Sequence, residues 1–332
     1  MNSSREILSV VVPAFNEAEV LEEFWRRLAS VLEGIDLDAE VVFVNDGSGD
    51  ETLEIMYSLR NGDRRIAVVD LSRNFGKEIA LTAGLDYATG DAVVVIDADL
   101  QDPPELIPSL IAQWRLGHEV VYAKRTAREG ETFVKKFTAR MFYRVIHNVS
   151  RVKIPQDTGD FRLLSRRVVL ALRGLREQHR FMKGLFAWIG FSQVEVPYKR
   201  DGRYAGETKW SYWRLWNFAL EGITSFTTVP LKVATYVGLF VAFFAFLFAG
   251  FIVFKTIAYG DPVRGYPSLM VAVLFLGGIQ LTFICILGEY LGRMFDETKG
   301  RPLYLIRQYC PAELHGSRSR KDLAEQQSKA HG

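Results

Sequence analysis

The front of the chain alternates short apolar runs with stretches of helical periodicity, and this alternation restricts the fold more than any other feature. Ile7–Pro13, Glu40–Asn45, Ile66–Leu71, Ala92–Ile96 and Glu119–Tyr122 read as strands. Between them lie four helical patterns, Glu17–Glu33, Asp50–Arg60, Phe75–Ala88 and Pro104–Leu116. In the first, Val20, Leu21, Phe24, Leu28, Val31 and Leu32 recur at helical spacing. Strands separated by helices of this length predict an α/β domain with a parallel sheet covered on both faces. Ligands of such sheets bind outside the carboxyl ends of the strands. Function is therefore expected in the residues that follow each strand.

Those residues are unusual, with acidic groups at nearly every strand end. Pro13-Ala14-Phe15-Asn16-Glu17 follows the first strand, Asn45-Asp46-Gly47-Ser48 the second and Ser72-Arg73-Asn74-Phe75-Gly76-Lys77 the third. Asp97-Ala98-Asp99-Leu100-Gln101-Asp102-Pro103-Pro104-Glu105 follows the fourth. Carboxylates so gathered repel one another unless a cation joins them. Asp97 and Asp99 are two residues apart, so in extended chain their side chains point the same way, and oxygen ligands of this kind suit Mg²⁺ or Mn²⁺. Gln101 can add a neutral oxygen. The bland alternative is a D-x-D turn with helix-capping character. Neither G-x-x-x-x-G-K-[ST] nor G-x-G-x-x-G occurs in this half. That argues against a P-loop nucleotidase and a dinucleotide-dependent oxidoreductase of the common fingerprint.

The formal net charge of +2 hides a strong polarity. Residues 1–123 hold 9 Lys and Arg against 23 Asp and Glu, a net of −14. Residues 124–183 hold 16 against 5, a net of +11, and the remainder carries +5. Such asymmetry predicts two tasks on one chain. A hydrophobic content of 48% excludes a disordered chain, and two cysteines, Cys285 and Cys310, make neither a disulfide framework nor a zinc spacing. Cys285, inside an apolar run, reads most simply as a small core residue. The five histidines show no metal spacing.

Two long uncharged runs follow the basic segment: Val233–Phe254, 22 residues, and Ser268–Gly288, 21 residues. Each is long enough to cross a bilayer. The link between them contains Gly260, Pro262, Gly265 and Pro267, a turn composition. The expectation is a transmembrane hairpin with both chain ends on one side. Lys232 before it and Arg293, Lys299 and Arg301 after it place that side in the cytoplasm. No apolar stretch near the N-terminus is long enough for a signal peptide.

Four motifs in order, VVPAFNE, VNDGS, SRNFGKEIALTAGLDYATGD and DADLQDPPE, together with the hairpin, resemble family 2 glycosyltransferases of the GT-A fold. The similarity is greatest to polyprenyl-phosphate glycosyltransferases, such as bactoprenol glucosyltransferases and dolichol-phosphate mannose synthases, and it runs over nearly the whole chain. The resemblance implies that Pro13, Ala14, Asn16 and Glu17 line a nucleoside pocket and that Asp46 lies under the base and ribose. It implies Asp97, Asp99 and Gln101 as metal ligands. It places Lys77 where the third strand end opens towards the nucleotide sugar, although a surface lysine at a helix start would look the same.

The basic middle then reads as the acceptor side. Phe133–Ser150 carries Phe137, Met141, Val145 and Val149 on one stripe and Lys135, Lys136, Arg140 and Arg144 largely elsewhere. Such a helix suits an anionic membrane face, or else packs on the sheet. Asp157 and Asp160 flank Gly159 in a segment that the family returns to the active-site edge. Asp160 is the first choice for orienting the acceptor or serving as base; Asp157 is the second, with a structural cap as its alternative. A phosphate monoester has a second pKa of about 6, so the acceptor is already anionic and the harder task is gathering it with cations. Arg203 and Lys209 fall in a segment resembling the family's R-x-x-G-x-[ST]-K, and with Arg125 and Arg128 they are the expected lipid-phosphate contacts. The acidic strand ends and the spans argue against nucleic acid as a partner. Trp210, Trp213 and Trp216 predict an interfacial helix ahead of the first span, with a buried core stripe as the other reading.

The expected organisation is a GT-A domain over 1–207, an interfacial helix over 208–228, two transmembrane helices over 229–292 and a cytoplasmic tail over 293–332. The expected activity is inverting transfer of a sugar, glucose foremost, from a uridine-diphosphate sugar to undecaprenyl or another polyprenyl phosphate at the inner (plasma) membrane, for cell-envelope glycan modification. The alternatives are a mannose synthase using GDP-mannose and a processive polysaccharide synthase. The Q-x-x-R-W motif of the latter is absent, the nearest stretch being Gln178-His179-Arg180-Phe181-Met182. A homo-tetramer is implied by the resemblance alone.

Overall fold

The structure, a computed structural model, describes residues 5–126, 158–178, 180–198 and 265–313, with scattered positions between 236 and 258. Elements are numbered in chain order among these residues. The strands are β1 (Ile7–Ala14), β2 (Asp38–Asn45), β3 (Ile66–Leu71), β4 (Ala92–Val95), β5 (Val120–Arg125), β6 (Thr158–Ser165), β7 (Gln193–Tyr198) and β8 (Ile306–Cys310). The helices are α1 (Leu21–Glu33), α2 (Thr52–Gly62), α3 (Lys77–Tyr87), α4 (Ile107–Arg115), α5 (Arg166–Arg173), α6 (Met182–Trp188) and α7 (Tyr266–Thr298), with one 3₁₀ turn at Pro104–Leu106. All five expected strands and all four expected helices are present, with ends shifted by up to four residues.

The strands form one eight-stranded sheet in the order β7-β5-β6-β4-β1-β2-β3-β8. Side chains alternate across it as the strand period requires. Leu8, Val10 and Val12 of β1 join Phe24 and Leu28 of α1, Met56 of α2 and Leu110 of α4 in the core on one face. Val11 points the other way, to Leu81 and Leu85 of α3, Leu172 of α5 and Phe186 of α6. Gly84 lets α3 lie tightly on the sheet, for a Cβ there would stand 2.2 Å from Val11 Cγ1. The carbonyls at the end of α3 are met by Arg173, which donates to Leu85 O at 2.7 Å and Ala88 O at 2.7 Å.

The sheet is mixed, where the sequence pattern predicts a parallel one. β6 runs antiparallel between β4 and β5, and β8 runs antiparallel on β3. The reversal of β6 decides the site. Val95 of β4 pairs with Arg162 of β6, so two residues further along the same register Asp97 stands level with Asp160. An antiparallel neighbour brings its beginning to the carboxyl end of β4, where a parallel one would bring its end.

Beyond the sheet, α7 runs for 33 residues, about 50 Å at 1.5 Å per residue. Its segment Phe275–Thr298 has a mean hydropathy of 1.5 and no fully buried residue, making it the one helix among the described residues long and apolar enough to cross a membrane. Every described position within the other expected span, Val233–Phe254, is helical. Cys285, expected in a core, is exposed on α7, because this helix turns its apolar side chains outward.

Part of the expected tail is structured. After α7 the chain returns to the sheet. Glu297 accepts the Gln178 N–H at 2.7 Å, Tyr304 Oη donates to Asp86 Oδ2 at 2.7 Å, and β8 closes the open edge of β3. Ile306 and Tyr309, three residues apart, both reach the core beside α3 because the β3–β8 register shifts by one residue between Leu71 and Asp70, so β8 carries no strict alternation for pattern alone to detect.

Candidate active site

The carboxyl ends of β1 and β2 are stitched into one rim. Asn16, in the left-handed region at φ 55°, accepts the Gly49 N–H on Oδ1 at 2.8 Å and donates its own N–H to Ser48 Oγ at 3.1 Å. The Glu17 N–H donates to Thr52 Oγ1 at 2.9 Å. Pro13 and Ala14 are buried at the end of β1, while Asn16 is exposed and Glu17 half-buried. Leu100, just past the D-x-D pair, is the other non-glycine residue with positive φ among those described, at 58°. Both strained positions lie at strand carboxyl ends, where backbone strain is most often tied to function.

Asp46 is a clamp. It is 3% exposed; Oδ1 accepts the Phe75 N–H at 2.7 Å and Oδ2 the Gly76 N–H at 3.0 Å. Burial raises its pKa although both amide bonds pull it down. The grip draws the loop after β3 onto the loop after β2 so closely that a Cβ on Gly47, at φ 68°, would meet Arg73 C and Asn74 N at 2.5 Å. A second buried bond, Asn45 Nδ2 to Asp70 Oδ1 at 2.7 Å, ties the ends of β2 and β3.

This clamp sets the start of α3 and hence Lys77. Lys77 Nζ stands 2.6 Å from Asp97 Oδ2 and 2.6 Å from Asp160 Oδ2. One ammonium thus joins the end of β4 to the beginning of β6. Burial works to lower the lysine's pKa, but Asp160 and Asp97 hold it well above the usual range. Asp160 is held below the usual carboxylate range by Lys77 and Lys183 despite its burial. Its Oδ1 is shielded from solvent and has no hydrogen-bond partner. Burial, and after it the charge of Asp160 and Asp99, pushes Asp97 up against the pull of Lys77. Asp99 Oδ1 accepts the Gln101 N–H at 3.1 Å, and Gln101 itself is buried.

Two groups the sequence reading left without a role complete the cluster. Arg162, 4% exposed, stacks on the Phe186 ring at 3.8 Å and donates to Gly159 O at 2.9 Å and Asp160 O at 3.3 Å. It braces the backbone that carries Asp160, and burial lowers its pKa to about 10. Glu78 accepts the Met182 N–H at 3.1 Å, and burial followed by the charge of Asp160 raises its pKa to about 7. Only its place next to Lys77 at a helix start could have pointed to it.

Arg125 lies on the same side. Its Nε donates to Tyr198 Oη at 3.2 Å and its Nη2 is 3.7 Å from Asp102 Oδ1. Tyr198 also donates to Asp102, and burial and that carboxylate push its pKa to about 12. A Cβ on Gly159 would stand 3.0 Å from Arg125 Nη2, so this cation adjoins the loop of Asp160. The structure therefore brings Asp97, Asp99, Asp160, Lys77 and Arg125 to one edge. Asp157, Arg128, Arg203, Lys209, the Phe133–Ser150 helix and the tryptophan segment lie outside the described residues.

Residues 9–172 match the model of glycosyl transferase family 2. A glycosyltransferase of Synechocystis sp. is 53% identical over 311 residues, covering 92% of this chain and 98% of that protein. The bactoprenol glucosyl transferase of Shigella phage SfX is 49% identical over 300 residues, covering 90% and 98%. Among solved structures, glucosyl-3-phosphoglycerate synthase from Mycobacterium tuberculosis in complex with Mn²⁺ and UDP-glucose is 22% identical with a TM-score of 0.44, covering 66% and 77%. With half its residues matched to relatives along nine-tenths of its length, and with acidic strand ends on a mixed α/β sheet, the chain belongs to glycosyltransferase family 2 and its catalytic domain has the GT-A fold.

Proposed function

We propose that the protein transfers glucose from uridine-diphosphate glucose to a polyprenyl phosphate by a single displacement that inverts the anomeric carbon. The observation that carries this reading is the meeting of the D-x-D pair with Asp160 at the β4–β6 junction. It supports a reading in which Asp97 serves the donor and Asp160 the acceptor, the two joined through the Lys77 side chain. The lipid acceptor is supported by the relative named bactoprenol glucosyl transferase and by the exposed apolar helix α7.

Asp97 and Asp99, with Gln101 as a neutral oxygen, are the residues that would hold Mg²⁺ or Mn²⁺. Among the described residues no three His, Cys, Asp or Glu gather closely enough to enclose an ion. A site with two carboxylates fits a hard cation that keeps waters and takes its other ligands from phosphate oxygens. When bound, the ion would offset charge on the leaving diphosphate. The rim of Pro13, Ala14, Asn16 and Glu17 receives the nucleoside, and Asp46 serves it by holding the neighbouring loops. Asp160 orients the acceptor phosphate, and Asp157 is the second candidate for that task. Arg125, Arg128, Arg203 and Lys209 gather that phosphate by charge-assisted hydrogen bonds. A phosphate oxygen already ionised needs little help from a base, so positioning outweighs proton transfer.

In this reading Val233–Phe254 and Ser268–Gly288 form a hairpin in the plasma membrane with the catalytic domain on the cytoplasmic face. The approach of Gly238 to Phe283, where a Cβ would meet the ring at 3.2 Å, supports paired spans. Self-association as a tetramer follows the family. The test is a radiolabelled assay with uridine-diphosphate glucose and polyprenyl phosphate in detergent. The wild type forms labelled lipid, and Asp99→Ala loses at least about 100-fold while still inserting in the membrane. Wild-type turnover in that variant, with Mn²⁺ present, rules the assignment out.

A further inference from the structure

Lys77 has a fixed backbone and a free-reaching head. Its amide neighbours Phe75 and Gly76 are gripped by buried Asp46, so the root of the side chain is anchored at the start of α3. Its side chain is 45% exposed, yet Nζ is within 2.6 Å of one oxygen of Asp97 and one of Asp160. Those carboxylates come from different strands and face each other across the β4–β6 register. Without a cation between them they would repel one another at the entrance to the site. The ammonium supplies that cation.

The same contact sets up a competition. Asp97 cannot give Oδ2 wholly to an ammonium and also to a divalent ion. A +2 ion beside Asp97 would also face the +1 of Lys77 at short range, where partial burial leaves little screening. A lysine is suited to yield, because its charge rides on a flexible four-carbon stem and its three donors can be redirected. An arginine fork in the same place would be harder to move.

We propose that Lys77 is an exchangeable internal counter-ion. In the substrate-free enzyme it neutralises Asp97 and Asp160 and holds the two strand ends together. When a divalent cation arrives with a nucleotide diphosphate, Lys77 gives up Asp97, keeps Asp160 and turns its freed donors to the diphosphate. The bare cation is bound weakly because it must displace the ammonium alone, whereas the cation–diphosphate pair offers the displaced lysine a new anion. Cation and donor are thereby coupled through one side chain. This inference rests on Asp97 and Asp99 being the cation ligands, and its test separates the two ideas.

The measurement is Mn²⁺ affinity by electron paramagnetic resonance, on the full chain in detergent without nucleotide. Lys77→Gln and Lys77→Met are expected to bind Mn²⁺ about tenfold more tightly than wild type, since a competing charge is gone. Lys77→Arg, which keeps the charge, is expected to bind no more tightly than wild type. Asp99→Asn is expected to lose the ion in either background. A folding defect would weaken binding, so a gain in affinity has no merely structural explanation. If both neutral variants match the wild type while Asp99→Asn still loses Mn²⁺, the counter-ion role is overturned and the cation site stands. If Asp99→Asn binds as the wild type does, the cation site itself is overturned, and the counter-ion role with it.

Discussion

Asp46 and Asp97 follow β2 and β4, on either side of β1 in one sheet, and carry the same carboxylate, but they keep opposite company. Asp46 spends both oxygens on the backbone amides of Phe75 and Gly76, which are fixed in the main chain. Asp97 meets a side-chain ammonium that is half in solvent and can leave. The β2–β3 rim is therefore built to be rigid, and the β4–β6 junction is built to exchange partners. An acid satisfied by main chain belongs to the scaffold, and an acid satisfied by a long side chain is available to a substrate.

The sharpest way to break this contrast is to neutralise each acid in turn. Asp97→Asn is expected to lower kcat/KM by about 10²–10³-fold, as removal of one developing-charge contact does, with thermal unfolding shifted by no more than a few degrees. Asp46→Ala removes the acceptor of two half-buried N–H groups, those of Phe75 and Gly76, and is expected to cost about 2 kcal/mol, read as a fall in the denaturation midpoint. Should Asp97→Asn unfold the protein while Asp46→Ala spares it, the assignment of rigid and exchangeable regions is reversed. Gly47→Ala tests the rim again, since a side chain at φ 68° would press on the loop after β3; a loss of about 2 kcal/mol is expected.

The smallest effect is in pH. Glu78 is raised from 4.5 to about 7, so between those values the folded protein holds a proton that the unfolded chain releases. Stability then falls as pH rises through that window, and the contribution is fully lost above it. Asp160 is shifted the other way, and its stabilisation is lost only as pH falls below the ordinary carboxylate range. Denaturation midpoints at pH 5 and pH 7.5 should differ less in Glu78→Gln than in wild type. An unchanged difference assigns the slope to another group.

Much of the scaffold was legible. Apolar runs and helical stripes located β1 to β5 and α1 to α4 because local periodicity reports which side of an element faces the core. The D-x-D pair was legible because two acids one residue apart after an apolar strand need no partner to be noticed. What pattern could not show was direction and pairing. β6 was placed at the active edge by resemblance, and only its antiparallel register sets Asp160 opposite Asp97. Lys77 was open between a donor-site lysine and a surface residue, since its two partners are 20 and 83 residues away. β8 lay hidden in an apparent tail because five residues carry too little alternation to be seen.

By itself, then, the sequence determined an α/β domain with acidic strand ends, a basic second half and apolar runs long enough for a membrane. These follow from composition and short-range spacing, which depend on neighbours along the chain. Tertiary structure alone decided that β6 and β8 run backwards, that Asp46 faces amides while Asp97 faces Lys77, and that buried Arg162 and half-buried Glu78 stand beside Asp160. Each of these depends on which distant strand is adjacent, and hydrogen bonding across a sheet settles that only when the whole core closes.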